Sequence, residues 1–153
     1  MITLDTAQQR LSDARSFLHI DDRSEELRRL EDAIAAPGFW DNAEAAQKIS
    51  KQASDIRDLL TRYESAQGLL DDARTAAEFA TEDPSFQQEE EQCLDELAHL
   101  LDAFEVESWF TGAYDGADAI VTIHPGSGGL EAQDWTEMLY KMYSRYADQK
   151  GWK

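Results

Sequence analysis

The residues best suited to chemistry fall in one run, His124-Pro125-Gly126-Ser127-Gly128-Gly129, followed at once by Leu130, Glu131 and Asp134. Glycines between a strand and a helix leave backbone N–H groups bare, and with the positive end of the helix dipole these can hold an anion. The specific phosphate fingerprints are missing. No Lys-Ser/Thr follows the glycines, as a Walker loop requires, and the spacing is not Gly-x-Gly-x-x-Gly. Glu131 and Asp134 also bring negative charge to the first turn, where it complements the dipole and opposes a phosphate. Two other readings stay open. One is a tight turn ahead of a well-capped helix. The other is a bare-backbone tip at which Gly128 admits a flat ligand and unpaired N–H groups donate to a carbonyl-bearing base. Lys141, Arg145, Lys150 and Lys153 further along are compatible with that second use.

Little else in the chain offers reactive groups. Cys93 is the only cysteine, which excludes an intramolecular disulfide and a thiolate zinc cluster, and at an apolar helix position it reads as a small core residue. His99 has no second His, Cys or carboxylate pattern beside it and reads as a surface or boundary histidine. No metal, no cofactor and no catalytic residue are expected, so the chain does not read as an enzyme by itself. The net charge of −18 is uneven: residues 1–110 hold 26 Asp+Glu against 10 Lys+Arg, and residues 111–153 hold 6 against 4. Phosphate backbones need Lys and Arg to displace counterions, so the first two-thirds of the chain would repel RNA over a broad face. A protein with a basic surface is the better partner there, although the acid also simply keeps helices soluble. No apolar run approaches the roughly 20 residues that span a bilayer, and Met1 is not followed by a signal-like segment. A cytoplasmic protein without membrane contact is expected.

The elements that would position the glycine run are mostly helices. Leu4, Ala7, Leu11, Ala14 and Leu18 step alternately by three and four, the seam of a bundle helix. After a break at His19-Ile20-Asp21-Asp22, the residues Ile20, Leu27, Leu30 and Ile34 continue a similar seam until Pro37-Gly38. Phe39 and Trp40 are expected to plug the end of the bundle, with Asp41 and Glu44 as a capping pair. Ile49, Ala53, Ile56, Leu60, Tyr63 and Leu70 mark a second long helix, in which Gly68 costs about 1 kcal/mol relative to Ala. Thr81-Glu82-Asp83-Pro84 makes a turn, with Pro84 suited to the first helical position of a third helix through Phe86, Leu94, Leu97, Leu101 and Phe104.

Beyond Thr111-Gly112 the texture changes. Ala119-Ile120-Val121-Thr122-Ile123 has the β-rich composition and length of a strand, and a helix from about Leu130 carries Trp135, Met138, Leu139, Met142 and Tyr146 before Gly151. One five-residue strand cannot make a sheet alone. Either the second domain is cut short or a strand comes from another chain. The fold class is therefore mainly α: an antiparallel helical bundle over residues 1–110, then over 111–153 the first strand, loop and helix of an incomplete α/β (α+β) domain.

The stretch His124-Pro125-Gly126-Ser127-Gly128-Gly129-Leu130-Glu131-Ala132-Gln133-Asp134-Trp135, with Met138-Leu139 and Met142-Tyr143 after it, resembles the start of the second domain in bacterial class I peptide chain release factors. Its Glu-Ala-Gln-Asp-Trp form is similar to the factor 2 branch rather than the factor 1 branch. Pro37-Gly38-Phe39-Trp40-Asp41 resembles a turn in that family's first domain, and Phe110-Thr111-Gly112-Ala113-Tyr114-Asp115 its interdomain junction.

The resemblance implies a translation termination factor that enters the ribosome on UGA or UAA and triggers hydrolysis of peptidyl-tRNA. It implies residues 1–110 as a helical domain facing the stalk-base proteins and ribosomal RNA and linked to a class II GTP-binding release factor, and residues 111–153 as the start of the codon-recognition domain. By motif position, Gly128 and Glu131 would meet the first base of the stop codon in the mRNA, largely through backbone groups. The Gly-Gly-Gln of the catalytic loop does not occur in the sequence, since Gly128-Gly129 is followed by Leu130, and neither does the Ser-Pro-Phe codon-reading tripeptide. The competing readings are a non-catalytic acidic coiled-coil interaction module and an enzyme that uses the glycine loop for an anionic ligand.

Overall fold

A computed structural model describes residues 2–110, 115 and 117–152, and the Thr111–Tyr114 part of the expected interdomain junction lies outside the described residues. Among the described residues five α-helices are formed: α1 Leu4–Phe17, α2 Ile20–Ala35, α3 Ala43–Ala80, α4 Phe86–Ser108 and α5 Leu130–Gln149. The chain divides into two compact units, Met1–Gly112 and Ala113–Lys153. The mainly helical architecture is the one the hydrophobic periodicity requires.

In the first unit the apolar seams become the core. α1 buries Ala7, Leu11 and Ala14, α3 buries Tyr63, Ala66, Leu70 and Ala73, and α4 buries Leu94, Leu97, Leu101 and Phe104. Leu97 and Phe104 are fully enclosed, and each such side chain contributes about 1.5–3 kcal/mol by leaving water. Ring contacts at both ends of the pair, Tyr63 with Phe104 and Phe79 with Phe86, show that α3 and α4 run antiparallel. α1 lies along one side of that pair. Its Arg10 donates to Asp102 at 2.7 Å and to Glu105 at 2.8 Å on α4, while the Tyr63 hydroxyl on α3 donates to the Leu11 carbonyl at 3.4 Å.

The helix ends follow local chemistry, with some departures from expectation. Thr3 caps α1 through its hydroxyl. The break before α2 is a left-handed His19 at φ 54, and Gly38 at φ 82 turns the chain after α2, where a side chain is disfavoured. Asn42, not Asp41, caps α3 by accepting from the Ala45 amide at 3.2 Å; Asp41 is spent in a short 3-10 turn with Phe39 and Trp40. That turn does not plug the bundle. Trp40 is 67% exposed and meets the half-buried Phe39 edge-on at 4.9 Å, so its indole rests on a neighbouring ring rather than in the core. Pro84 precedes rather than starts α4; the Asp83 carboxylate closes the turn by accepting from the Ser85 amide at 2.9 Å.

In the second unit α5 follows the loop as expected and ends at Gly151, whose φ of 69 suits a residue without a side chain. The strand expected over Ala119–Ile123 does not form: these residues have no regular secondary structure, and no strand occurs among the described residues. The reason is physical. A strand is defined by a hydrogen-bonded neighbour, and this unit supplies none.

Candidate functional site

The glycine loop leads directly into α5, and its geometry separates the glycines from one another. A Cβ built on Gly128 would lie 2.7 Å from the Cβ of Ala132, one turn into the helix. Neither atom is the end of a flexible side chain, so the loop can fold back on α5 only if residue 128 is glycine. Gly126 and Gly129 have open space where a Cβ would be. The requirement at Gly128 is therefore internal to the loop. Sequence reasoning missed it, and the signal was the small residue four positions on.

Gly129 is the N-cap of α5 and, having no side chain, gives no capping hydrogen bond, whereas Thr3 and Asn42 cap α1 and α3. The first amides of a helix lack the acceptor that a capping side chain would supply, which at α5 concerns Leu130 and Glu131, ahead of the amide of Ala132. The Gly129 carbonyl already accepts from Ala132 at 3.1 Å, which anchors the turn. Glu131, the second residue of the helix, is exposed, as is Asp134. Of the residues singled out by sequence, Gly128 and Glu131 thus sit three positions apart at one exposed helix start, while His124 lies exposed on the approach to it. Further along, Lys141 holds Glu137 at 2.5 Å, and this partner keeps the Glu137 carboxyl below the usual carboxylate range.

The loop's upstream arm borders a shallow cleft with α5, lined by Val121, Ile123 and Pro125 on one side and Gln133, Thr136 and Tyr140 on the other. The rest of α5 carries large apolar side chains that this unit leaves exposed: Trp135 at 60%, with Met138, Met142 and Tyr146 on the same stripe. Among the described residues no group of His, Cys, Asp or Glu could hold a metal ion, and no helix is long and apolar enough to cross a membrane. His99 is exposed and Cys93 half-buried. The helix start thus presents exposed backbone flanked by two carboxylates, Glu131 and Asp134.

Comparison with known proteins covers this loop and helix together with most of the bundle. The model of the PCRF domain matches residues 23–153, so that it takes in most of the bundle, the glycine loop and α5. The chain belongs to the PCRF domain family. Among curated proteins it is similar to a peptide chain release factor 2 of an Exiguobacterium species, 34% identical over 98% of this chain and 42% of the relative. Peptide chain release factor 2 of Staphylococcus saprophyticus is 34% identical over 97% of this chain and 40% of its own length. That of Wolinella succinogenes is 38% identical over 88% of this chain and 36% of its own length. The resemblance seen in the glycine-to-tryptophan run thus extends over nearly the whole sequence, while the chain spans about two-fifths of the length of these relatives.

Proposed function

We propose that this chain is the portion of a bacterial release factor 2 that carries the bundle domain and the start of the codon-recognition domain, and that the complete factor acts in translation termination at UGA and UAA. The observation that carries the reading is the run from His124 to Trp135 in register with a similarity covering 98% of the chain. In this reading Gly128 and Glu131 meet the first uridine of the stop codon. Backbone groups at the start of α5, which has no side-chain cap, would pair with the uracil edge, and close backbone packing would exclude a purine.

The acidic bundle, with net charge −16 over residues 1–110, would face proteins with basic surfaces rather than RNA; the stalk base and the class II GTP-binding factor are the partners proposed for it. The residues present have no Gly-Gly-Gln and no Ser-Pro-Phe, so peptide release and reading of the second base belong to sequence not contained in this chain. The setting is the cytoplasm, where ribosomes work, and no cofactor is required of these residues.

A chimaera tests this. The aligned portion of a curated release factor 2 is replaced by residues 1–153, and peptide release is measured on ribosomes programmed with UGA, UAA, UAG or a sense codon. Release on UGA and UAA alone is expected, with none from the 153-residue chain added by itself. A folded chimaera that binds neither stop codon, or stop-dependent release by the isolated chain, would overturn the reading.

A further inference from the structure

Within the first unit α1 covers one side of the α3–α4 pair, and α2 lies against α3. On the covered side α1 lays Ala7, Leu11 and Ala14 against the pair, and Arg10 beside that stripe clamps Asp102 and Glu105 of α4. On the other side Ser65, Gly68, Leu69 and Asp72 of α3 and Glu96, His99 and Leu100 of α4 line an open groove of about 610 Å³. At 100° per residue, residues 65, 68 and 72 fall on the arc of α3 opposite Tyr63 and Arg74, which face α1.

Three features of this groove suit a docked helix. The floor is apolar: Leu69 and Leu100 are partly buried against the core and remain open to the groove. The rim is acidic, Asp72 on one helix and Glu96 on the other, and no Lys or Arg lines it. Asp72, Glu89 and Glu96 also all act on the half-buried Cys93, so the negative field persists along the groove. The third feature is Gly68. A glycine inside a helix costs about 1 kcal/mol against alanine, yet a Cβ here would meet nothing within 4 Å. Nothing within the bundle requires it. A glycine at the centre of an open groove is what lets a second backbone come close.

We propose that this groove is a docking site for an amphipathic helix of a partner protein, one that presents a stripe of small and branched apolar residues bordered on both sides by Lys or Arg. α1 shows one half of such a contact: its apolar stripe packs on the two helices and Arg10 takes Asp102 and Glu105, while on its other border Gln8 accepts from Arg74 of α3. The groove has a carboxylate on both helices and so calls for cations on both borders of its occupant. The arrangement depends on the bundle alone and stands apart from the codon-facing reading of Gly128.

The test is a titration of the full ¹⁵N-labelled 153-residue chain with a synthetic 18-residue helical peptide, Ala and Leu on one stripe and Lys on both borders. Amide shifts confined to residues 65–72 and 93–100 are expected, with no binding by the same peptide carrying Glu for Lys. Gly68→Leu fills the centre of the groove and raises helix propensity, so it leaves the bundle folded, as circular dichroism checks. It should weaken binding roughly tenfold or more, as obstruction of a central contact does. Asp72→Asn with Glu96→Gln should weaken binding and flatten its salt dependence. Shifts spread over carboxylates on every face, undiminished binding to the Gly68→Leu variant, or no binding at all would each overturn the proposal.

Discussion

Truncating Phe104 to alanine should be among the most damaging single changes in the bundle, and its size follows from the packing. The ring is fully enclosed, sits 6.4 Å from the Tyr63 ring, and lies under the Arg62 guanidinium, which is itself held by Glu107. Burial of a phenyl group and the cavity left by its loss together cost about 3–5 kcal/mol. The half-exposed cation–π contact adds no more than about 1 kcal/mol to the upper end. For a bundle of this size about 4 kcal/mol corresponds to a fall in Tm on the order of 15–20 °C. Urea and thermal unfolding followed by circular dichroism at 222 nm measure both quantities. Met138→Ala, at a position 59% exposed on α5, is the control and should change stability by less than about 0.5 kcal/mol. A loss below about 1 kcal/mol for Phe104→Ala would refute the assignment of Phe104 to the centre of the core.

Two further outcomes follow from the same structure. Burial pushes the Cys93 thiol pKa up, and the charges of Asp72, Glu89 and Glu96 push it further, so at pH 8 less thiolate is present than at an exposed cysteine. Its rate with an uncharged alkylating agent should therefore keep rising above the pH at which a free thiol levels off, and Asp72→Asn with Glu96→Gln should speed the reaction; a rate equal to that of a model thiol would contradict this. Hydrogen exchange should show α3 and α4 strongly protected over residues 46–104, and the amides of Ala119–Ile123 exchanging quickly, since no ladder holds them. Equal protection of the two regions would mean that the segment pairs with another strand in solution.

The bundle was legible in the sequence wherever periodicity alone decides. The alternating steps from Leu4 to Leu18 place the α1 seam, and the run from Leu94 to Phe104 places the buried face of α4. What periodicity cannot carry is competition between neighbours. Asp41 and Asn42 are both good caps, and only the short turn at Phe39–Asp41 gives the position to Asn42. Trp40 looked like core by its type, yet it stands exposed against the Phe39 ring, a placement that composition does not reveal. The composition of Ala119–Ile123 expresses a strand preference, but a ladder needs a partner that composition does not reveal. At the candidate site the sequence located the loop and the helix start, whereas the 2.7 Å approach between residues 128 and 132 depends on how the loop folds back.

That approach also shapes the decisive measurement, because any side chain at Gly128 disturbs the loop itself. In the release factor chimaera, Gly128→Ala is combined with Ala132→Gly, which removes the atom a new Cβ would strike, and kcat/KM for release on UGA is compared with that of Ala132→Gly alone. If residue 128 touches the first uridine, the double variant stays defective by roughly 10- to 100-fold, the cost of a misplacement near 1 Å. Recovery of full activity in the double variant would show that Gly128 serves only the packing of its own loop.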